Sequence, residues 1–503
     1  PRVIVSLDDD TRRSFMTSGA LHLVAISGTH IALVTGFSML LFFWAPPGFR
    51  RIICALIILF YLLQAAAPVS AQRAAVAAWA WLWASHRKRK MHMPHILGAA
   101  GCVDLLLNPL IVHSSGFILT YSICFSFVYW SKWLGFSRKN PGGHSLFLRI
   151  RALLKTQWLV LLTSSPLTLH LFNQAALAAL PAGLLLIPLF GLLLPVAAAS
   201  LLIFMAIPAS ITVTGHLLTP VVSLLQEILT FFSHWDALLL YRRAPPAWAI
   251  FTYLGLLYFT PFLLKRKTLH RSVLLSLFGF FIFLLLPDRP YHPETVEIHS
   301  PNIGQGELTA LVFPDGTSML VDCGGTPFSS QLGVSRLVSA YLLNNRIHPR
   351  WIAVSHFHAD HCGTLPDLIR IFKPEAVLVS EQPCQNPLFI QAKRAGGRHT
   401  RWITVARGDS MITAGSRLTW LYPDQAASEA DETRNGHSQV IRLDCTYFSM
   451  LFCGDIGLPE ELNLVNACGP DLDTDILKAP HHGSKGSSSE PFLHAVSPKL
   501  SIF

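Results

Sequence analysis

From Leu21 to about Pro287 the chain alternates apolar stretches with short basic or Pro/Gly punctuation. Nothing else in the sequence restricts the fold as strongly. A transmembrane helix needs roughly 20 mainly apolar residues, and stretches of that kind begin at Leu21, Ile52, Ile96, Gly116, Leu153, Ala175, Ala198, Ile211, Ala247 and Ser272. The stretch from Ala71 to Ser85 adds another or completes the second, so residues 1–292 are expected to hold about eight to ten membrane helices. Charged residues make up only 14% of the whole chain, against about a quarter in soluble proteins.

The charge is unevenly divided. Residues 1–292 carry 23 Lys/Arg against 7 Asp/Glu, and residues 293–503 carry 16 against 22. The basic character belongs to the apolar half, where Lys and Arg mark cytoplasmic loops. Arg87-Lys88-Arg89-Lys90, the Lys132–Lys155 region and Lys265-Arg266-Lys267 are therefore expected in the cytoplasm. The last cluster immediately precedes the final span, Ser272 to Pro287, which then carries the chain outward and puts everything after Pro290 outside the cytosol.

After Pro293 the texture changes. Val296–His299, Ala310–Phe313, Met319–Asp322, Trp351–Val354, Leu418–Leu421, Val440–Leu443 and Phe448–Phe452 read as short strands between turn residues. Helices are expected over Val334–Asn344 and Leu365–Phe372. Strands mixed with helices in this order predict a two-sheet α/β sandwich over residues 293–503.

That second half holds Ser355-His356-Phe357-His358-Ala359-Asp360-His361. Three imidazoles and a carboxylate at H-x-H-x-D-H suit zinc, manganese or iron, and a strand followed by a tight turn points them into one pocket. Four ligands are more than one ion takes from one turn, so two divalent ions are expected. Further ligands are expected from Asp455 in Cys453-Gly454-Asp455, from His481 at the head of the His-His-Gly-Ser turn at 481–484, and from His437, with His482 beside His481 expected to support a ligand without binding the ion itself. Asp322, at a strand end before Gly324-Gly325, is placed to orient a ligand histidine. Asp360 or Asp455 is suited to receive a proton, and Lys478 or Ser484 to steady a phosphate. The nine cysteines show no C-x-x-C spacing, which excludes a zinc ribbon or dithiol redox motif. No phosphate-binding P-loop is present.

In the apolar half, His22, His30, Gln72 and Arg73 are polar groups where lipid would make them costly. Such residues face a cavity or a pathway, and Ser27-Gly28 can break a helix where it lines a pore. An interhelical hydrogen-bond network is the competing role for the same residues.

These pieces together resemble one family. Residues 296–503 look like a metallo-β-lactamase-fold domain of the ComEC type, through Gly304-Gln305-Gly306-Glu307, Leu320–Gly324, Ser355–Gly363, Cys453-Gly454-Asp455 and Leu477–Ser484. His22-Leu23-Val24-Ala25-Ile26-Ser27-Gly28-Thr29-His30 resembles the membrane signature of the same family, and Gln72-Arg73-Ala74 its intramembrane Arg-Ala. The resemblance implies a polytopic α-helical membrane domain followed by an αββα sandwich. It implies an inner-membrane channel for single-stranded DNA in bacterial transformation, with a nuclease domain in the periplasm or outside the cell that degrades the other strand. The implied partners are DNA, membrane lipid, other competence proteins and further copies of the chain. The implied cofactors are two divalent ions, Zn or Mn, with His356 and His358 at the first, Asp360, His361 and His481 at the second, and Asp455 bridging. Two other functions draw on the same residues: a channel whose metal domain does not cleave, and a membrane-anchored metallo-hydrolase of a lipid or small ester. Family members continue beyond Ser501-Ile502-Phe503 and carry a domain ahead of the first span, so a trimmed or short variant is expected.

Overall fold

A computed structural model describes the chain apart from residues 1–8, 25–27, 65–68, 89–91, 135–145, 264–269, 287, 327–330, 381–383 and 425–434. Ser27, residues 89–90 of one basic cluster and 265–267 of another lie outside the described residues. The chain divides into two units, Pro1–Leu286 and Pro287–Phe503.

The first unit is helical and its breaks follow Pro, Gly and Asn. Pro47 opens the helix Pro47–Gln64, where its missing N–H costs nothing. Asn108 ends Met93–Leu107, and its side chain accepts from Leu110 N at 3.1 Å to start the short turn Pro109–His113. Among the described residues three helices are long and apolar enough to cross a membrane: Pro47–Gln64, Ala179–Met205 and Thr212–Ser233. This is a helical membrane domain. Two stretches differ from the sequence expectation. Those expected to begin at Ala175 and Ala198 are a three-residue strand, Gln174–Ala176 (β1), and a single helix, Ala179–Ala206, that runs through Pro188 and Pro195. Proline is tolerated in such helices because neighbouring groups satisfy the freed carbonyls. β1 pairs antiparallel with Leu239–Tyr241 (β2). The stretch Ala71–Ser85 lies in a helix of its own, Val69–His86.

The second unit is built on two six-stranded sheets. The first runs in chain order: β3 (Glu297–His299), β4 (Thr309–Val312), β5 (Ser318–Val321), β6 (Trp351–Val354), β7 (Ala376–Val379) and β8 (Arg401–Thr404). It is antiparallel to β5 and parallel from there on. The second holds β9 (Ser410–Thr413), β10 (Ser416–Tyr422), β11 (Val440–Asp444), β12 (Ser449–Phe452), β13 (Ile476–Lys478) and β14 (Leu500–Ile502). Here β9 to β12 are antiparallel, and β13 and β14 add in parallel.

Side chains on a strand alternate between faces, and that alternation builds three layers of core. Met319, Val321 and Ala353 point between the sheets, where they meet Leu418, Trp420, Ile441, Leu443, Met450 and Phe452. Leu320, Ile352 and Val354 point the other way, under Val338 and Leu342 of the helix Gln331–Asn344 and Leu368 and Ile369 of Leu365–Phe372. Val440, Leu451 and Leu477 face Leu464 of Leu458–Cys468 and Phe492 of Glu490–Val496. The order is helix, sheet, sheet, helix. Each large apolar side chain so buried contributes about 1.5–3 kcal/mol.

Gln439 fastens the two sheets across this core. Its amide donates to the Val354 and Leu378 carbonyls at 2.7 and 3.0 Å, and its Oε1 accepts from Trp420 Nε1 at 2.7 Å.

Candidate metal centre

Ligands of open α/β sheets collect at the carboxyl ends of strands, and this is where the titratable residues gather. Asp322 follows β5, His356 follows β6, Asp455 follows β12 and His481 follows β13. Beyond β6 the strand's period of two is broken, since Val354 and Phe357, three residues apart, lie in the same core layer. Phe357 turns into the layer under the helices Gln331–Asn344 and Leu365–Phe372 and packs edge-on against Phe389 at 5.4 Å. His356 and His358 are thereby driven to the opposite side, with His356 Nε2 2.9 Å from His358 Nδ1. The one-turn helix Ala359–Cys362 then brings Asp360 and His361 around.

A Cβ on Gly306 would lie 2.6 Å from the Gly325 nitrogen and 3.0 Å from the Asp360 carbonyl. Glycine there lets the turn before β4 close onto the histidine loop, and Glu307 N donates to the Asp360 carbonyl at 3.0 Å. Glu307 itself is buried, with Oε1 2.8 Å from Lys478 Nζ and Oε2 3.6 Å from His482 Nδ1.

Asp322 adopts φ 60°, a conformation that Asp tolerates better than most residues. One carboxylate oxygen accepts from Ser355 N at 2.7 Å and the other lies 2.9 Å from His361 Nδ1. That contact leaves His361 Nε2 to face Asp455 Oδ1 at 3.2 Å.

Asp455 sorts its neighbours by oxygen. Oδ2 lies 3.9 Å from both His356 Nε2 and His481 Nε2. Oδ1 lies near His361 Nε2 and 3.8 Å from His482 Nε2, which is also 3.8 Å from Asp360 Oδ2. Ser438 Oγ accepts from Asp455 N at 3.1 Å and lies 3.3 Å from His356 Nδ1.

His481 and His482 both stand in the left-handed region, at φ 47° and 52°. Such residues cost about 1–3 kcal/mol each and persist only where the surroundings over-determine them. Here Ser487 Oγ lies 2.9 Å from the Pro480 carbonyl and 3.0 Å from that of Ser484. The buried Glu461 accepts from Ser488 N and Ser489 N just beyond.

His437 ends the turn Asn435–His437, and its carbonyl accepts from Ser380 Oγ at 2.7 Å. The turn meets the cluster at Asn435, whose amide nitrogen lies 3.5 Å from His481 Nε2. Ser484 Oγ accepts from Gly486 N at 3.3 Å. Lys478 is occupied by Glu307, so a phosphate contact from it has to displace that carboxylate.

Burial, with His361 alongside, holds the His356 pKa well below its ordinary value. His361 is equally buried, but Asp322 and Asp455 flank its two nitrogens and raise it well above. Burial alone would lift Asp455; the contact and charge of His361, then His356 and His482, hold it below the usual carboxylate range. Contact with His482 keeps Asp360 at about 2. Glu307 is raised by burial, which Lys478 only partly opposes.

These residues fit metal ions. His361 Nε2, Asp455 Oδ1 and Glu307 Oε2 are buried without a hydrogen-bond partner. Ligand atoms of Glu307, His361, Asp455 and His482 lie within 4.8 Å of one another. Two ligands of one tetrahedral zinc, each about 2.0–2.1 Å from it, stand about 3.3 Å apart, close to the spacings found.

In the membrane unit, His22 lies in the short helix Leu21–Val24, and Gly28 and His30 lie in Gly28–Leu41. Gly28 faces Ala74, with 3.7 Å from its Cβ position to the alanine Cβ, so this helix meets the one that carries Gln72 and Arg73. Arg73 is 5% exposed, donates to the Gly116 carbonyl at 3.1 Å and lies 5.1 Å over the Tyr121 ring. Tyr121 Oη donates to Asp104 Oδ2 at 2.9 Å, and Asp104 is buried as well.

Sequence reasoning did not assign roles to Glu307, Ser438, Asn435, Gln439 or Asp104. Gly304-Gln305-Gly306-Glu307 offered a signal for the first, since a glycine directly before a lone acid at the entry to a strand marks a close backbone approach.

A family model described as Competence protein matches residues 5–267, and one described as Metallo-beta-lactamase superfamily matches residues 304–503. The chain is 24% identical over 527 residues to ComE operon protein 3 of Bacillus subtilis (strain 168), covering 99% of this chain and 64% of that protein. It is 26% identical over 516 residues to Competence protein ComA of Neisseria gonorrhoeae, covering 97% and 66%. The chain therefore spans just under two thirds of the length of these relatives. Among solved structures, the metallo-beta-lactamase fold protein YhfI from Bacillus subtilis aligns with 42% of this chain and 84% of its own, at 13% identity and a TM-score of 0.27. The chain belongs to the competence protein family of the ComEC kind, in which a helical membrane unit is joined to a metallo-beta-lactamase domain.

Proposed function

We propose that the chain forms a multi-pass channel for single-stranded DNA in the bacterial inner membrane, and that its metal centre, outside the cytosol, cuts the strand that is not transported. The observation that carries this reading is the division of ligands by Asp455, with His356 and His481 on one oxygen and His361 and His482 on the other. The geometry favours His356, His358 and His481 at one ion and Asp360, His361 and His482 at the other, with Asp455 shared. This allocation differs from the family pattern, which sets His481 with Asp360 and His361. Two divalent ions held there, Zn or Mn, would supply Lewis acidity toward a phosphodiester and a nucleophile active near neutral pH.

The chain's own residues carry the remaining roles. Asp322 and Ser438 hold His361 and His356 in orientation. Asp360 or Asp455 accepts the proton released during hydrolysis. Ser484 Oγ accepts from Gly486 N and keeps its own hydrogen for a phosphate oxygen. The acidic balance of residues 293–503 disfavours autonomous duplex binding, which draws on Lys and Arg. DNA is then held by the membrane unit or by another competence protein. Among the described residues, Arg73 Nε and Nη1 are buried without a hydrogen-bond partner, and a passing phosphate supplies the acceptor they lack.

The test is cleavage of single- and double-stranded DNA by the purified full chain with zinc or manganese. Cleavage is expected with either ion and is lost in Asp455→Asn; no cleavage with either sinks the nuclease. Uptake of labelled DNA by cells carrying Arg73→Ala tests the channel separately, and normal uptake counts against it.

A further inference from the structure

We infer that Glu307 is a positioning residue for His482, a second carboxylate–histidine pair in the site beside that of Asp322 with His361. The inference rests on the metal centre proposed above. His482 stands between two groups: Nε2 faces Asp360 Oδ2 and Asp455 Oδ1 at 3.8 Å each, and Nδ1 faces Glu307 Oε2 at 3.6 Å. A ligand histidine needs a partner of this kind, because a carboxylate at one ring nitrogen fixes the tautomer and aims the other. His482 needs it more than most, since its backbone is left-handed and its side chain is among the more exposed of the cluster.

Glu307 is built to hold still. Its backbone N–H is bonded to the Asp360 carbonyl, and Oε1 is pinned by Lys478 at 2.8 Å. Oε2 is left buried without a hydrogen-bond partner, on the His482 side. Lys478 thereby neutralises a carboxylate that burial would otherwise disfavour. Its part in the site is to hold Glu307 in place.

A direct-ligand role for Glu307 is the competing outcome, and metal binding by the full chain in detergent separates the two without reference to DNA cleavage. An amide oxygen accepts a hydrogen bond from Nδ1 but is a poor ligand. Glu307→Gln is therefore expected to keep two zinc ions, with affinities in chelator competition close to those of the parent and an unchanged cobalt(II) absorption spectrum. Glu307→Ala is expected to weaken one ion by about 10- to 100-fold and to leave the other. The Glu307→Ala/His482→Ala pair should lose no more than His482→Ala alone. Loss of an ion or an altered cobalt spectrum in Glu307→Gln, unchanged affinities in Glu307→Ala, or additive losses in the pair overturn the inference. Should Glu307→Ala fail to fold, Glu307→Gln and its cobalt spectrum decide alone. A chain that binds metal as expected but cuts no DNA would leave this inference standing and remove only the nuclease.

Discussion

Asp322 Oδ2 lies 2.9 Å from His361 Nδ1, and the ring so held presents Nε2 to Asp455 Oδ1 at 3.2 Å. The same Asp322 accepts from Ser355 N, so the carboxylate ties strand β5 to the histidine loop as it aims the ligand. Asp322→Ala is expected to weaken zinc binding by about 10- to 100-fold, the usual effect of losing such a partner. Chelator competition measures it, and an unchanged affinity would show that His361 orients itself.

Gln439 bonds Val354 and Leu378 in one sheet and Trp420 in the other. Gln439→Leu leaves three buried polar groups unpaired at about 1–3 kcal/mol each. Unfolding of the second unit, followed by Trp fluorescence in denaturant, should therefore show a loss of at least about 3 kcal/mol. A loss well under 1 kcal/mol would mean that water or backbone shifts replace these bonds.

Asp475 accepts from Ser449 N, Ser449 Oγ and Lys499 Nζ, and its carboxyl is held at about 2, first by Lys499. A folded pKa below the unfolded one contributes stability that is present above the unfolded value and lost as pH falls through the folded value. The melting temperature should accordingly decline between about pH 4 and pH 2, less steeply in high salt because Asp475 is at the surface. Asp475→Asn should flatten that limb, and an identical limb in the variant would assign it to other carboxylates.

Tyr121 gives Asp104 a hydrogen bond inside the membrane unit. Tyr121→Phe is expected to cost about 1–3 kcal/mol, the desolvation of an unpaired buried acceptor. Thermal unfolding in detergent measures it, and Asp104→Asn in the same background should recover part of the loss. No recovery would mean that another group meets the unpaired acceptor.

Strand β11 could be read in the sequence because it alternates, with Ile441 and Leu443 on one face and Arg442 between them. Met319-Leu320-Val321 and Trp351–Val354 carry no such alternation and were legible only as short apolar runs bounded by turn residues. The parallel strand Ala376–Val379 is buried on both faces and carries no period, and a bare apolar run does not distinguish strand from helix. β13 and β14 are only three residues each. That His356, His361, Asp455 and His481 lie together was suggested by the histidine string and by the Gly-Asp and His-His-Gly turns at strand ends. Glu307 with Lys478, and Asn435 with His481, are pairings between distant segments that only the folded sheets create. In the membrane unit the stretches expected from Ala175 and Ala198 are one helix running through Pro188 and Pro195, because the rule against proline in water-exposed helices is relaxed where neighbouring helices complete the backbone.

Ser438 and Gln439 are adjacent, yet one touches His356 and Asp455 while the other joins the two sheets. Because successive residues of a strand face opposite ways, a slip of one place would exchange them. The hydroxyl would enter the core and the long amide would crowd the histidines. The orientation of His356 and the joining of the two sheets are thereby one and the same choice of register for β11.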